Sequence, residues 1–272
     1  MTVGVILPVY KNDKPDYLVQ SIESIINQTY KSIELIIGVD GPIGEDLEKV
    51  LDFYERSPII SVIRFSQNRG LAMVLNDLLS VCEKRGYNYI ARMDADDISL
   101  HHRIAKQMDF LLSNPEIDVV GGAISEIDEN GNSRNKTIVY PSSPEECRNF
   151  FSRRNPHAHP AVLFRKSYFD KIKGKYRPEY RQNQDTMLWL DGMKNGTNHA
   201  NISEVVLKFR FTDTLFKKRR NGWQFAKKQL KDRLSINKTL HYGMQADIFA
   251  YMMYVLLISP AWIKKLAYKF LR

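Results

Sequence analysis

Asn88–Asp97 reads NYIARMDADD, and this stretch decides how the rest of the chain is read. Tyr89-Ile90-Ala91-Arg92-Met93 is apolar and aromatic with few turn formers, which predicts a strand. Three carboxylates then fall within four positions, Asp94, Asp96 and Asp97. Like charges packed this closely at a strand end raise the electrostatic energy and call for compensation. A hard divalent cation with oxygen ligands, Mg²⁺ or Mn²⁺, supplies it, taking one or two carboxylates and completing its shell with water or phosphate oxygens. The competing reading is an acidic turn in which Asp97 caps a helix starting near Ser99.

Upstream, strand and helix patterns alternate. VGVILPVY predicts a buried strand ending near Pro8, and Leu18, Ile22, Ile25 and Ile26 recur at helical spacing over 14–28. A second strand over 34–39 stops at Asp40-Gly41-Pro42. A helix over 44–56, a strand over 59–65 and a helix opened by Asn68-Arg69-Gly70 follow. This order implies an α/β fold with a mostly parallel sheet flanked by helices, and in such sheets ligands sit beyond the carboxyl ends of the strands. Tyr10, Asp40, Asn68 and Asp94 fall there.

Downstream, a helix over 101–113, a strand at Val119–Gly122 and a hairpin turn at Asp128–Asn132 are expected. Ala161–Lys166 reads as a strand preceded by His157-Ala158-His159-Pro160. Gln184-Asp185 opens a helix carrying Leu188, Trp189 and Leu190.

Of 272 residues, 43% are hydrophobic and 26% charged, which is globular, and the length fits one domain with an appendage. Cys82 and Cys147 have no metal-type spacing, and with no secretory pattern at the start the expectation is a reduced, cytoplasmic protein. The net charge of +9 is unevenly placed. From Lys217 onward, thirteen Lys/Arg face only Asp232 and Asp247, a local balance of +11 that leaves residues 1–216 at −2. An uncharged run of 14 residues, Ile248–Ala261, is too short to cross a bilayer, for which roughly 20 are needed. Beyond Pro260, Trp262, Ile263, Leu266, Phe270 and Leu271 read as one helix face and Lys264, Lys265, Lys269 and Arg272 as another. Residues 216–272 therefore read as a basic amphipathic tail on an anionic membrane surface, or as a helical cap on the catalytic body or on a second subunit of a homo-oligomer. The tail lacks spaced stacking aromatics, which argues against nucleic acid.

Six segments in order, ILPVY, VDGP, NRGLAMVLN, the D-x-D strand, HPAVLFRK and QDTMLWL, resemble family 2 glycosyltransferases of the GT-A fold over residues 3–215. The bacterial members that build O-antigen, capsule or exopolysaccharide are the most similar. The resemblance implies a catalytic domain at 1–215, with a nucleotide-sugar half at about 1–125 and an acceptor half at 126–215. It also implies an inverting enzyme of hexosyltransferase type that moves one sugar from a nucleotide-diphospho-sugar, with UDP favoured, to a hydroxyl. A polyprenyl-diphosphate-linked saccharide acceptor would put it on the inner face of the bacterial plasma membrane. Carried over by position, Asp96 ligates Mn²⁺ or Mg²⁺ and Asp94 contacts ribose or assists the metal. Asp185 is the general base, with helix capping as its bland alternative, and Asp97 is either capping or supporting. Pro8, Tyr10, Asp40, Asn68 and Arg69 line the nucleotide-sugar side, and His159, Gln184 and Trp189 the acceptor side. Tyr10 equally suits packing and Arg69 a solvated turn, while Trp189 reads first as core, with stacking on an acceptor sugar as its alternative.

Two positions depart from the family pattern. Val39 stands where the turn usually has the first of two acidic residues, which weakens the assignment of uridine. Gln184 replaces the usual Glu beside the base, removing one like-charge contribution to its pKa. No Q-x-x-R-W motif follows the base, so processive synthesis is not expected. The contrasting readings are a nucleotide-sugar-binding module without activity, and a nucleotidyltransferase, for which a Gly-rich basic signature is missing at Val9–Asp13.

Overall fold

The computed structural model describes residues 1–211 and 223–260. Its first half follows the alternation read from sequence: β1 (Val3–Val9), α1 (Pro15–Ile26), β2 (Ile33–Val39), α2 (Glu45–Tyr54), β3 (Ile60–Arg64), α3 (Leu71–Lys84) and β4 (Tyr89–Arg92). β1 pairs in parallel with both β2 and β4, and β2 with β3. All seven residues of β1 are buried, as expected of a central strand covered on both faces.

The second half departs from a mostly parallel sheet. It comprises β5 (Ile98–Ser99), α4 (Arg103–Ser113), β6 (Val119–Ile127), β7 (Ser133–Ile138), α5 (Pro144–Phe151), β8 (Leu163–Arg165), α6 (Ser167–Ile172), α7 (Gln184–Lys194) and β9 (His199–Arg210). The nine-stranded sheet runs β3-β2-β1-β4-β8-β6-β9-β5, with β7 beside β6. β8 is antiparallel to β4 and to β6, β5 is antiparallel to β9, and β6 and β9 are parallel. The sheet is thus mixed: a parallel block of the first four strands, joined through antiparallel β8 to the parallel pair β6 and β9. The expected helix start near Ser99 gives way to β5, and α4 begins at Arg103.

Two cores sandwich this sheet. One packs Leu18, Ile22, Leu51, Ile104 and Met108 against one face, and the other packs Val74, Leu78, Phe151, Tyr168 and Trp189 against the opposite face. The C-terminal helices are α8 (Trp223–Thr239) and α9 (Met244–Ile258). Ile236 and Leu240 join the second core, so α8 is docked on the body. Among the described residues no helix is long and apolar enough to cross a membrane. The amphipathic segment read beyond Pro260 and the basic run Lys217–Arg220 lie outside the described residues.

Candidate active site

The parallel strands end together. Val9 is level with Val39, and Val39 with Arg64. Their exits carry Tyr10, Asp40, Asn68 and the acidic loop, so the sheet alone gathers these positions on one edge.

Asp40 organises the first part of this edge. Its carboxylate accepts from the backbone N–H of Arg69 at 2.7 Å and of Gly70 at 2.9 Å, and its carbonyl accepts from Asn68 Nδ2 at 3.1 Å. Asp40 therefore holds the turn leading into α3. Gly41 completes it: φ is +82°, and a Cβ there would lie 2.5 Å from the Asn68 nitrogen. Arg69 is paired with Asp77 and stacks on Phe65 at 4.3 Å, so its guanidinium is engaged within the protein. Pro8 lies inside buried β1, and the Tyr10 N–H donates to Asp13 Oδ2 at 2.8 Å.

Asp94, Asp96 and Asp97 each bring a carboxylate oxygen within 4.8 Å of the others. The loop is held from both sides. Ser21 Oγ donates to the Asp94 carbonyl, and Arg210 donates through Nε to the Asp96 carbonyl and through its backbone N–H to Asp97 Oδ1, all at 2.8 Å. Asp97 is 1% exposed, and its Oδ2 has no hydrogen-bond partner. Burial, and then the charges of Asp96 and Asp94, push its carboxyl well above the usual carboxylate range. It caps no helix, because β5 intervenes before α4. A carboxylate trio with one orphaned buried oxygen suits a hard divalent cation, and Asp94 and Asp96 are its more accessible members.

Sequence reading passed over Arg92. It is 1% exposed, pairs with Asp94 Oδ1 at 2.5 Å, and leaves Nε and Nη1 without partners. Its charge also acts on Asp185, so one buried cation influences both the acidic loop and α7. The signal was present in the sequence: an arginine inside an otherwise apolar strand, two positions before the first aspartate.

Asp185 is the second residue of α7 and half-buried. The helix N-cap is Asn183, in the left-handed region at φ +62°. Asp185 Oδ2 accepts from Asn155 Nδ2 at 3.0 Å, and Asn155 Oδ1 accepts from Thr186 Oγ1 at 3.0 Å. Burial raises the Asp185 pKa, opposed by the Thr186 N–H, by Arg92 and by Asn155. Gln184 precedes it as the first residue of the helix.

The other residues expected on the acceptor side lie deeper. His159 is buried, with Nε2 2.7 Å from the Tyr176 hydroxyl, and desolvation holds its pKa well below the ordinary value. Tyr176, also unanticipated, is near enough to feel Asp185, Asp94 and Arg92 together. Trp189 is 0% exposed and packs against Phe164, Tyr168, His157 and His199. That corrects its assignment to the acceptor side: it has no face to offer a sugar, because α7 points it into the second core.

A family model for Glycosyl transferase family 2 matches residues 4–173. The chain is 34% identical over 230 residues to the amylovoran biosynthesis glycosyltransferase AmsE of Erwinia amylovora, covering 84% of this chain and 83% of that one. It is 30% identical over 228 residues to the UDP-Gal:alpha-D-GlcNAc-diphosphoundecaprenol beta-1,3-galactosyltransferase of Escherichia coli, covering 84% and 80%. The fold is similar to that of S. aureus TarS 1-349 in complex with UDP-GlcNAc, with a TM-score of 0.66 at 13% identity over 98% of this chain and 84% of that one. With more than half its length under the family model, the chain belongs to the family 2 glycosyltransferases.

Proposed function

We propose that this glycosyltransferase moves one sugar per acceptor, with inversion, from a nucleotide-diphospho-sugar, most readily a UDP-sugar, in surface polysaccharide biosynthesis. The observation that carries the reading is a half-buried carboxylate, Asp185, that feels the same buried arginine, Arg92, as a cluster of three carboxylates. The first is suited to take a proton and the second to hold a cation.

Asp94 and Asp96 would hold Mn²⁺ or Mg²⁺, which when bound neutralises charge developing on a departing nucleoside diphosphate. The Asp40-held turn shapes the donor side. Asp185 accepts the proton of the acceptor hydroxyl as that oxygen attacks the anomeric carbon from the face opposite the leaving group. Its raised pKa improves the match between a carboxylate and this task near neutrality. Asn155 and the Thr186 N–H orient its carboxylate and favour its ionised form.

The galactosyltransferase relative has a diphosphoundecaprenol-linked sugar as its named acceptor, which supports a polyprenyl-diphosphate-linked acceptor here. Such an acceptor would place the enzyme peripherally on the inner face of the bacterial plasma membrane, contacting anionic lipid through residues 216–272. The test is a screen of UDP-, GDP- and dTDP-sugars with Mn²⁺ or Mg²⁺, read as nucleotide release. Metal-dependent release from one donor is the expected result. Absence of release together with absence of donor binding by calorimetry would remove the transferase reading.

A further inference from the structure

Helix α9 is apolar almost all round, yet only one side of it is covered. Ala246 and Ala250 are buried, and Asp247 accepts from Asn237 Nδ2 of α8 at 2.8 Å. The opposite side exposes Met244, Ile248, Tyr251, Met252, Val255 and Ile258, with Ile248 at 59% and Val255 at 58%. At 100° per residue these six fall within about 120° of one another, forming a single stripe along the helix. A helix hydrophobic on all sides is ordinarily buried on all sides. Fifteen residues make it about 22 Å long, short of the roughly 30 Å hydrocarbon core of a bilayer.

The neighbouring helix supplies charge. Lys227, Lys231 and Lys238 are exposed at spacings of four and seven, which places them on one face of α8. Exposed Trp223 heads the same helix, its ring 5.8 Å from that of Tyr254 on α9. An apolar stripe beside a lysine row, headed by an exposed tryptophan, matches the interface of an anionic bilayer. A second copy of the chain would bring the same lysines, and the same +11 of the C-terminal segment, against themselves.

We propose that the α9 stripe is the surface that docks on anionic lipid, lying in the interface without crossing it, and that α8 ties it to the catalytic helix. Gln229 Nε2 donates to Asn183 Oδ1 at 2.8 Å, and Asn183 Nδ2 donates to Asp232 Oδ2 at 3.1 Å, two residues before the proposed base. Arg233 donates to the Phe151 carbonyl at 2.5 Å, and Tyr242 to the Arg148 carbonyl. Docking therefore fixes the height of Asp185 above the lipid surface. The inference rests on the reading that residues 216–272 contact the membrane and names the surface that does so.

The test is flotation of the full chain with vesicles of phosphatidylglycerol and phosphatidylcholine, and with phosphatidylcholine alone. The wild type partitions onto the anionic vesicles and weakly onto the neutral ones. Ile248→Glu with Val255→Glu loses partitioning by at least about tenfold, from two apolar side chains no longer buried. Lys227→Glu with Lys231→Glu loses anionic partitioning too, and guards against a folding defect in the first variant. Both variants keep wild-type UDP affinity by calorimetry. Stripe variants that float like the wild type would overturn the inference while leaving membrane contact to another segment. So would a wild-type dimer that the stripe variant splits. Absence of UDP binding in the wild type would instead strike the UDP-sugar reading, whatever the vesicles show.

Discussion

Burial raises the pKa of two carboxylates in the candidate site, Asp97 and Asp185, and their surroundings diverge. Around Asp97, the next influences after burial are Asp96 and Asp94, which push its pKa further up. Around Asp185, the next are the Thr186 N–H, Arg92 and Asn155, which pull it back down. The same cost of burial thus ends in two chemistries. A cluster of like charges with an orphaned oxygen favours a cation, whereas hydrogen-bond donors around a lone carboxylate favour its ionised form, the one that accepts a proton. Arg92 joins the two regions by pairing with Asp94 while acting on Asp185.

The largest expected effect comes from Asp185→Asn, which keeps the shape and removes the proton acceptor. Transfer should fall by about 10²–10⁴ while donor affinity holds. Equal loss of donor affinity would mean that the two regions are one site. Asp96→Ala should do the reverse, weakening UDP binding by roughly 10-fold or more and abolishing its dependence on metal. Smaller still is Asn155→Ala. Asn155 lowers the Asp185 pKa, so its removal raises that pKa. A base works deprotonated, and the acid limb of the pH–rate profile should therefore move to higher pH, with little change at the alkaline plateau. A limb that stays in place would show that Asn155 serves only packing. The smallest catalytic effect is expected for Trp189→Phe, which should cost about 1–3 kcal/mol of stability, read as a lower Tm, and leave KM for acceptor unchanged.

The parallel block was readable because its strands are long apolar runs alternating with amphipathic helices: β1 and β2, and α1 with Leu18, Ile22 and Ile25. The mixed second half was less so. β8 has three residues and β5 two, below the length at which periodicity carries information, and β9 mixes polar with apolar residues along its length. In the site, Asp94, Asp96 and Asp185 stood out as carboxylates after a strand or at a helix start. The roles of their supports depend on contacts across long sequence separations. Arg210 reaches the acidic loop across 113 positions, and Asn155 reaches Asp185 across 30. The choice between packing and acceptor contact for Trp189 was settled only once the opposing Phe164 and Tyr168 were in place, since a tryptophan within the apolar run Met187–Leu190 has no face legible in sequence.

One calorimetric experiment addresses the division of labour directly: UDP titrated into wild type, Asp185→Asn and Asp96→Ala, each with Mn²⁺ and with EDTA. The account predicts metal-dependent binding that is equal in wild type and Asp185→Asn and lost in Asp96→Ala. Undiminished metal-dependent binding in Asp96→Ala, or its loss in Asp185→Asn, would contradict it.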